Sequence, residues 1–335
     1  MDFLLDMQIP IPASRIGYGE GILMAGSCFT EHIGEHLQEL KFNVLQNPNG
    51  ILFDPAALSG AIISWIRAEE VQKKDLFFYQ DLWQSWNHHS QFSHPDPDFC
   101  LQKINESCRQ AHEFLGQARW LIISLGSSYS YQLNENYFLG GLVSHGGGVA
   151  NCHRAPAQWF NKHMMGPEQI NAALDNCLHM LFQFNPNLNV IFTVSPVRHI
   201  RDGLVENNRS KARLIESVHR LVDKFDRLFY FPAYELVIDV LRDYRFYDMD
   251  MVHPNYTATE FVLEKFKAFI KPEAVALMQE IKKIVTARKH RPLHPSSHAH
   301  KKFMNDSLLK TKELAEQYPF LSVQEEIDYF SSAQY

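Results

Sequence analysis

Near its amino end the chain carries the stretch Ile22-Leu23-Met24-Ala25-Gly26-Ser27-Cys28-Phe29, around which the rest of the sequence can be interpreted. Residues 22–25 are apolar and predict a short buried strand, and apolar residues at helical spacing predict a helix over 30–40, with Thr30 as a candidate N-cap. The turn between them places Ser27 at the end of a strand and the start of a helix. In an open α/β sheet ligands bind there, and free helix N–H groups suit a developing oxyanion. Taken alone, the turn equally fits an ordinary helix cap.

Buried strands and amphipathic helices alternate along the rest of the chain. Further strands are predicted over residues 43–46, 121–126, 189–194 and 228–231. Helices are predicted over residues 54–68, 99–120, 167–184, 208–225 and 257–287, and a long irregular region with Gly140-Gly141 and Gly146-Gly147-Gly148 follows residue 126. Such alternation implies βαβ units, hence an α/β protein with a mostly parallel sheet and helices on both faces.

The chain divides into one large domain and a smaller appendage. We expect the α/β domain over residues 1–285, with an insertion at about 70–118 that contains a strand pair at 77–79 and 82–86. Beyond it the chain becomes basic and then polar, with helical patches. We therefore predict a C-terminal helical appendage over residues 286–335, packed on the main domain.

The composition excludes several classes of protein. Among 335 residues, 45% are hydrophobic and 21% charged, which is typical of globular proteins, and the net charge of −6 argues against nucleic-acid or anionic-membrane partners. There is no apolar run near the length of a membrane span and no signal peptide at the amino end as written. The five cysteines form no CxxC pair, so we expect neither a disulfide framework nor a thiolate zinc site, and a reducing cytoplasm is the expected setting.

A histidine and a carboxylate three residues apart suit the chemistry that Ser27 suggests. Ester hydrolysis by a serine needs a base, a carboxylate that orients it and oxyanion donors. In Asp250-x-x-His253 the carboxylate can reach the imidazole Nδ1–H, which leaves Nε2 free to accept a hydroxyl proton. The spacing is common by chance. His253 equally fits a helix-entry residue, Asp250 an N-cap, and Asp248 is a competing carboxylate.

Two further residues are candidate oxyanion donors, with the Ser27 N–H as the third. Asn151 follows the glycine-containing region, and an amide side chain there can donate without titrating. Gly50 closes the turn signal Asn47-Pro48-Asn49-Gly50. Each also fits an ordinary turn residue, so this assignment depends on the rest of the chain.

Several motifs in order resemble one family. Gly26-Ser27-Cys28-Phe29 matches the motif that names the GSCFA family, a branch of the SGNH/GDSL hydrolase superfamily. Five further stretches, within roughly the first 260 residues, look like the same family: Asn47-Pro48-Asn49-Gly50-Ile51, Trp86-x-His88-His89-x-x-Phe92-Ser93, Val149-Ala150-Asn151-Cys152-His153-Arg154, Thr193-Val194-Ser195-Pro196-Val197-Arg198-His199, and Tyr244-Arg245-Phe246-Tyr247 running into Asp250-Met251-Val252-His253-Pro254.

The resemblance implies a flavodoxin-like, three-layer α/β/α sandwich. It implies Ser27 as nucleophile, His253 as base and Asp250 as its orienter, with Gly50 and Asn151 beside the Ser27 N–H in the oxyanion hole. We therefore expect a serine esterase that removes a short acyl group, such as acetyl, from a small-molecule or carbohydrate ester without a cofactor. Four more residues are expected to bind the substrate or to form internal salt bridges: His153, Arg154, Arg198 and His199.

Two other functions remain open at this stage. A binding module with the same fold would keep the pocket without catalysis. A metal-dependent hydrolase would use the histidines at 88, 89 and 94 or those at 290, 294, 298 and 300. The first group has no HxH or HExxH pattern with a carboxylate partner, and His298-Ala299-His300 lies in a polar tail. Cys28 is also an alternative nucleophile, but a free cysteine is more often a small buried residue. The sequence does not indicate the acceptor of the ester or the oligomeric state.

Overall fold

The structure, a computed structural model, describes residues 5–134 and 148–332. Within these ranges the strands are β1 (Ile22–Gly26), β2 (Val44–Gln46), β3 (Phe77–Tyr79), β4 (Leu82–Gln84), β5 (Trp120–Leu125), β6 (Tyr129–Leu133), β7 (Phe160–Met164), β8 (Asn189–Val194) and β9 (Leu228–Tyr230). The helices are α1 (Cys28–Glu39), α2 (Pro55–Arg67), α3 (Pro97–Gln117), α4 (Pro167–Phe184), α5 (Leu204–Lys224), α6 (Ala233–Glu235), α7 (Tyr256–Phe266), α8 (Pro272–Lys289), α9 (His298–Gln317) and α10 (Gln324–Ser332). A π-helical segment, Leu236–Leu241, continues α6.

Five parallel strands form the central sheet in the order β2-β1-β5-β8-β9. Numbering these five by chain order gives 2-1-3-4-5, the order of flavodoxin-like folds. The order reverses between β1 and β5, so the crevice in which such sheets bind ligands lies at the carboxyl ends of these two strands. Ser27 follows β1 directly and therefore stands at this switch point.

The alternation of side chains along the strands gives the sheet two apolar faces. Met24 and Ile122 belong to the core under α1, α7, α8, α9 and α10. Leu23 and Leu121 belong to the core under α2, α3, α4 and α5. Because both faces are covered by helices, the predicted α/β fold with an α/β/α sandwich is confirmed.

The predicted long helix over residues 257–287 is wrong. The chain forms α7, a short turn and then α8, which begins at Pro272. Proline has no backbone N–H and fits the first position of a new helix, whereas inside a helix it removes a hydrogen bond. The break lets Ile270 pair with Ile16, whose N–H and carbonyl bond to Phe269 and Lys271. Thr30 is also not the N-cap of α1, because Ser27 occupies that position.

An antiparallel hairpin, β6 with β7, occupies part of the region predicted to be irregular. Its two strands are joined by a long connection, so no short turn signal marks it. The first four predicted glycines, at 140, 141, 146 and 147, lie outside the described residues. Residues 70–118 fold into the β3–β4 hairpin and α3, and α3 packs on the sheet through buried residues such as Ile104.

The C-terminal helices pack on the face that also carries α1. Glu326 on α10 is buried, and one of its carboxylate oxygens bonds to Lys41 at 2.9 Å and to Arg288 at 2.7 Å. Helix α8 crosses residue 285, at which the sequence predicts a boundary. None of the helices in residues 5–134 and 148–332 is both long enough and apolar enough to span a membrane.

Candidate active site

Ser27 is held by the backbone at the end of β1. The preceding Gly26 has a φ of 147°, and a Cβ added there would overlap the Ser124 carbonyl oxygen. The Gly26 N–H donates to Asn47 Oδ1 at 2.9 Å, and the Ser27 N–H donates to Ser124 O at 3.1 Å. These bonds fix where the chain turns, and only glycine fits the first position of the turn.

The Ser27 hydroxyl is not used to cap its helix. Ser27 is the N-cap of α1, yet its side chain makes no capping bond. Its Oγ lies 3.1 Å from Ser124 Oγ on β5, and its residue is only 4% exposed. A substrate carbonyl therefore reaches this oxygen only after the covering side chains shift. Sequence reasoning missed Ser124, although a polar residue late in an otherwise apolar strand is a usable signal.

Asp250 and His253 form the pair that their spacing predicts. His253 Nδ1 lies 2.6 Å from Asp250 Oδ2, and Asp250 Oδ1 accepts the N–H groups of Val252 and His253. The bond from His253 and the two N–H groups hold the pKa of the Asp250 carboxyl at about 2. The carboxylate thus orients the ring with Nδ1 as the donor and Nε2 as the acceptor. Asp248 contributes its N–H to the His253 carbonyl instead.

The loop that carries this pair rests on the segment after β8. The Arg198 N–H donates to Val252 O at 3.3 Å. The Arg198 guanidinium lies over the rings of Tyr247, at 4.3 Å, and Tyr244, at 5.1 Å. Since β8 is next to β5 and β5 is next to β1, His253 and Ser27 lie at the same edge of the sheet. Among the described residues, the Ser27 hydroxyl bonds to Ser124 and not to His253.

Gly50 and Asn151 are brought together by the loop that contains Trp86 and His89. The His89 N–H donates to Asn49 O at 2.8 Å, and a Cβ added at Gly50 would overlap His89 Cβ. On the other side, the N–H groups of Ala150 and Asn151 both donate to Trp86 O. The structure therefore places these two distant residues on either side of one loop.

The three predicted oxyanion donors differ in what they already bind. The Gly50 N–H donates to Asn47 O at 2.6 Å, and the Ser27 N–H donates within the sheet, so either must leave or share its acceptor to bind an oxyanion. Asn151 Oδ1 accepts the His153 N–H at 2.7 Å, so only its amide nitrogen can act as a side-chain donor. Among residues 5–134 and 148–332, no group accepts a hydrogen bond from that nitrogen.

The four residues predicted to bind substrate occupy different environments. His153 is buried against Phe77 and Trp86, with Nε2 2.8 Å from Ser85 O, and burial lowers its pKa to about 4. Arg154 is exposed. Arg198, as described above, holds the His253 loop.

His199 is the one of the four that lies close to the nucleophile. Its Nε2 is 3.1 Å from Gly126 O, and burial lowers its pKa to about 4. A Cβ added at Gly126 would lie 3.5 Å from Ser27 Cβ, so Gly126 packs directly against Ser27.

Cys28, the alternative nucleophile, is held as a thiol. Burial, followed by the charge of Glu31, raises its pKa above the usual value, and the helix N–H groups of Cys28 and Phe29 do not reverse this shift. The thiolate is the nucleophilic form of cysteine, so Ser27 is the better candidate at this turn.

The first histidine cluster is engaged in the interior. His88 Nδ1 lies 2.9 Å from Ser85 Oγ, and its Nε2 faces Cys108 Sγ at 3.8 Å. The described residues contain no group of three or more His, Cys, Asp and Glu side chains arranged to hold a metal ion.

Fold and site together define an α/β protein of flavodoxin-like strand order, with a serine at the switch point and an aspartate–histidine pair at the same sheet edge. The chain belongs to the GSCFA family, whose model matches residues 21–266. A second model, described as GSCFA domain protein, C-terminal domain, matches residues 281–333. Among curated proteins, none matches this chain.

Proposed function

We propose that this chain is a serine esterase of the SGNH/GDSL type that removes a short acyl group, such as acetyl, from a hydroxyl of a small molecule or carbohydrate. The observation that carries the proposal is the Asp250–His253 pair, 2.6 Å apart, at the sheet edge that also holds Ser27. A nucleophile, a base and a carboxylate that orients the base are the parts that such catalysis requires.

In the proposed reaction the Ser27 oxygen attacks the ester carbonyl while His253 Nε2 accepts the hydroxyl proton. The tetrahedral intermediate collapses, the bond to the alcohol oxygen breaks, and His253 returns its proton to the leaving alcohol. A water molecule, deprotonated by His253, then hydrolyses the acyl-serine. Ser27 and His253 must meet for the first transfer, and such contacts often tighten only when substrate binds.

Asn151 is the proposed side-chain donor to the oxyanion. Its carbonyl oxygen accepts the His153 N–H, and its amide nitrogen is the group that would donate to the oxyanion. A cavity of about 100 Å³ borders the loops that carry Gly50 and Asn151 and is lined by Asn49, Ser85, Asn87 and Ala150 among others. The free cysteines at 28, 100, 108, 152 and 177 support the cytoplasm as the compartment.

A fluorophosphonate probe tests the proposal, because it labels a serine only when a base activates it. We expect mass spectrometry to find the label on Ser27, and Ser27→Ala and His253→Asn to abolish labelling. His179→Asn is a matched control, since His179 lies 3.6 Å from Asp175 on an exposed face of α4. Labelling that survives Ser27→Ala would contradict Ser27 as the nucleophile, whereas a wild type that is never labelled would contradict the esterase and favour the binding module.

A cysteine variant decides between the two adjacent nucleophiles. Cys28→Ala should leave probe labelling largely unchanged, because its thiol is protonated near neutral pH. If iodoacetamide inactivates the wild type at Cys28 while Ser27→Ala still turns over an ester, Cys28 is the nucleophile instead.

A further inference from the structure

A lysine is buried at the carboxyl ends of the two central strands. Lys211 lies on α5, on the same helix face as Leu214 and Val218, and it is 1% exposed. Its Nζ donates to Gly126 O and to Ser195 O, each at 2.6 Å. These carbonyls directly follow β5 and β8, so the side chain bridges the ends of neighbouring strands.

This ammonium has an unusual charge balance. Among the described residues, no carboxylate forms an ion pair with Lys211. The titratable groups that act on it from the packed elements are Cys28 on α1 and His199 after β8. Burial lowers the pKa of Lys211 to about 7. A buried charge held only by carbonyl dipoles is costly, and an anion that forms nearby would offset part of this cost.

The lysine is coupled to the nucleophile through Gly126. This glycine packs against Ser27, and its carbonyl accepts from both Lys211 and His199. The charge of Lys211 also favours the thiolate of Cys28, the residue after Ser27. The bonds to the two carbonyls could be made by an uncharged amide, so they do not by themselves explain a lysine here.

We propose that Lys211 is a positioning residue of the Ser27 site, which fixes the ends of β5 and β8 and supplies the buried positive charge that stabilises an anion forming at the start of α1. The stabilisation of the acyl-transfer oxyanion rests on the proposed esterase function. The effect of the charge on Cys28 does not, and it can be measured separately.

Lys211→Met removes the charge, and Lys211→Gln removes it but retains N–H donors for the carbonyls. Lys224→Met is the matched control, because Lys224 is an exposed lysine on the same helix that pairs with Asp175. We would follow alkylation of Cys28 by iodoacetamide against pH, by peptide mass spectrometry, together with the rate of fluorophosphonate labelling of Ser27.

Without the charge, the Cys28 thiol should titrate at a higher pH, and a shift of one pKa unit makes its alkylation at pH 6, below the pKa of Lys211, about tenfold slower. Labelling of Ser27 should slow by about tenfold in the same variants. Lys224→Met should change neither rate, and Lys211→Arg, which keeps the charge, should restore both in part.

A purely structural lysine gives the opposite result. If Lys211 only tied the strand ends together, Lys211→Met would loosen the site, and iodoacetamide would alkylate Cys28 faster or at an unchanged rate.

If Lys211→Met does not fold, the same comparison is made on Lys211→Gln. If neither folds, labelling of wild-type Ser27 decides: it should slow as pH rises through about 7, the pKa of Lys211, and a rate that keeps rising overturns the proposal. A wild type that is not labelled at Ser27 removes the esterase, while the comparison of Cys28 alkylation between the variants and the wild type still decides on Lys211.

Discussion

The two halves of the proposed site are built differently. Ser27 is buried at the end of β1, where its N–H donates to Ser124 O and the N–H of its neighbour Gly26 donates to Asn47 Oδ1. The Asp250–His253 pair lies on an exposed turn, in which Met251 has a φ of 58°, and Arg198 anchors it. The nucleophile is thus part of the core, whereas the base is carried by a surface loop. Mutations in the first half should damage folding, and those in the second should damage activity alone.

Breaking the turn before Ser27 should have the largest effect. Gly26→Ala places a Cβ against the Ser124 carbonyl at a φ that other residues rarely adopt. We expect a loss of about 3 kcal/mol or more in the free energy of unfolding, measured by urea denaturation. Gly60→Ala is the control, because a Cβ there meets nothing within 4 Å, and it should be neutral or stabilise α2 by up to about 1 kcal/mol. If Gly26→Ala and Gly60→Ala are equally stable, the turn before Ser27 is not part of the core.

Asn151 separates catalysis from structure within one side chain. Asn151→Asp keeps the oxygen that accepts the His153 N–H but loses the amide donor, so turnover should fall by about a hundredfold or more with little change in KM. Its melting temperature should stay near that of the wild type. Asn151→Ala loses the amide donor and also the oxygen that accepts the His153 N–H, so it should melt at a lower temperature as well.

Steady-state kinetics and melting curves on the same two preparations distinguish these roles. If Asn151→Asp keeps its kcat while Asn151→Ala loses stability, the residue holds only its own turn.

Loosening the exposed half should lower activity without affecting stability. Arg198→Met removes the guanidinium from the rings of Tyr244 and Tyr247 but leaves its backbone bond to Val252. Because the His253 loop then samples more positions, we expect Ser27 labelling to slow by about tenfold, with an almost unchanged melting temperature. Arg245→Met is the control, since this neighbouring arginine is exposed and pairs with Asp243. A large drop in melting temperature for Arg198→Met would show that the loop is part of the core.

The buried half should also be sensitive to acid. Burial lowers the pKa of His88 to about 3 and those of His153 and His199 to about 4. Below about pH 6.5 these imidazoles therefore bind protons in the unfolded chain but stay neutral in the folded chain. These histidines therefore lower stability as pH falls from about 6.5 to 4. Buried Asp54 acts in the opposite direction, because its pKa is raised to about 6 and its protonated form is favoured in the fold.

Melting temperatures between pH 7 and 4 check this balance. We expect a net decline for the wild type and a smaller one for His153→Gln, which lacks one of the buried imidazoles. Exposed His290→Gln should follow the wild type. An identical decline in all three proteins would mean that the buried histidines do not carry the acid sensitivity.

The elements that the sequence predicts best are those with strong periodicity and clear ends. Strands β1, β5 and β8 are mostly apolar runs, and α2 begins at Asp54-Pro55, where an acceptor side chain precedes a proline. The prediction failed where one residue outweighs periodicity, as at Pro272, which splits the predicted final helix. It also failed for β6 and β7, because strand pairing across a long connection leaves no local signal.

The sequence alone predicts the α/β class, the turn that places a serine at the switch point and the Asp250-x-x-His253 pairing, because each depends on neighbours within a few residues. Only the tertiary structure placed Ser124 against the Ser27 hydroxyl, Arg198 under the His253 loop and Lys211 between the ends of β5 and β8. Ser27 and Ser124 are 97 positions apart in the sequence. Arg198 is 53 positions from Met251 in the His253 loop, and Lys211 is 85 positions from Gly126. The order of strands in the sheet and burial determine which residues make these contacts. Neither can be predicted from the spacing of residues along the chain.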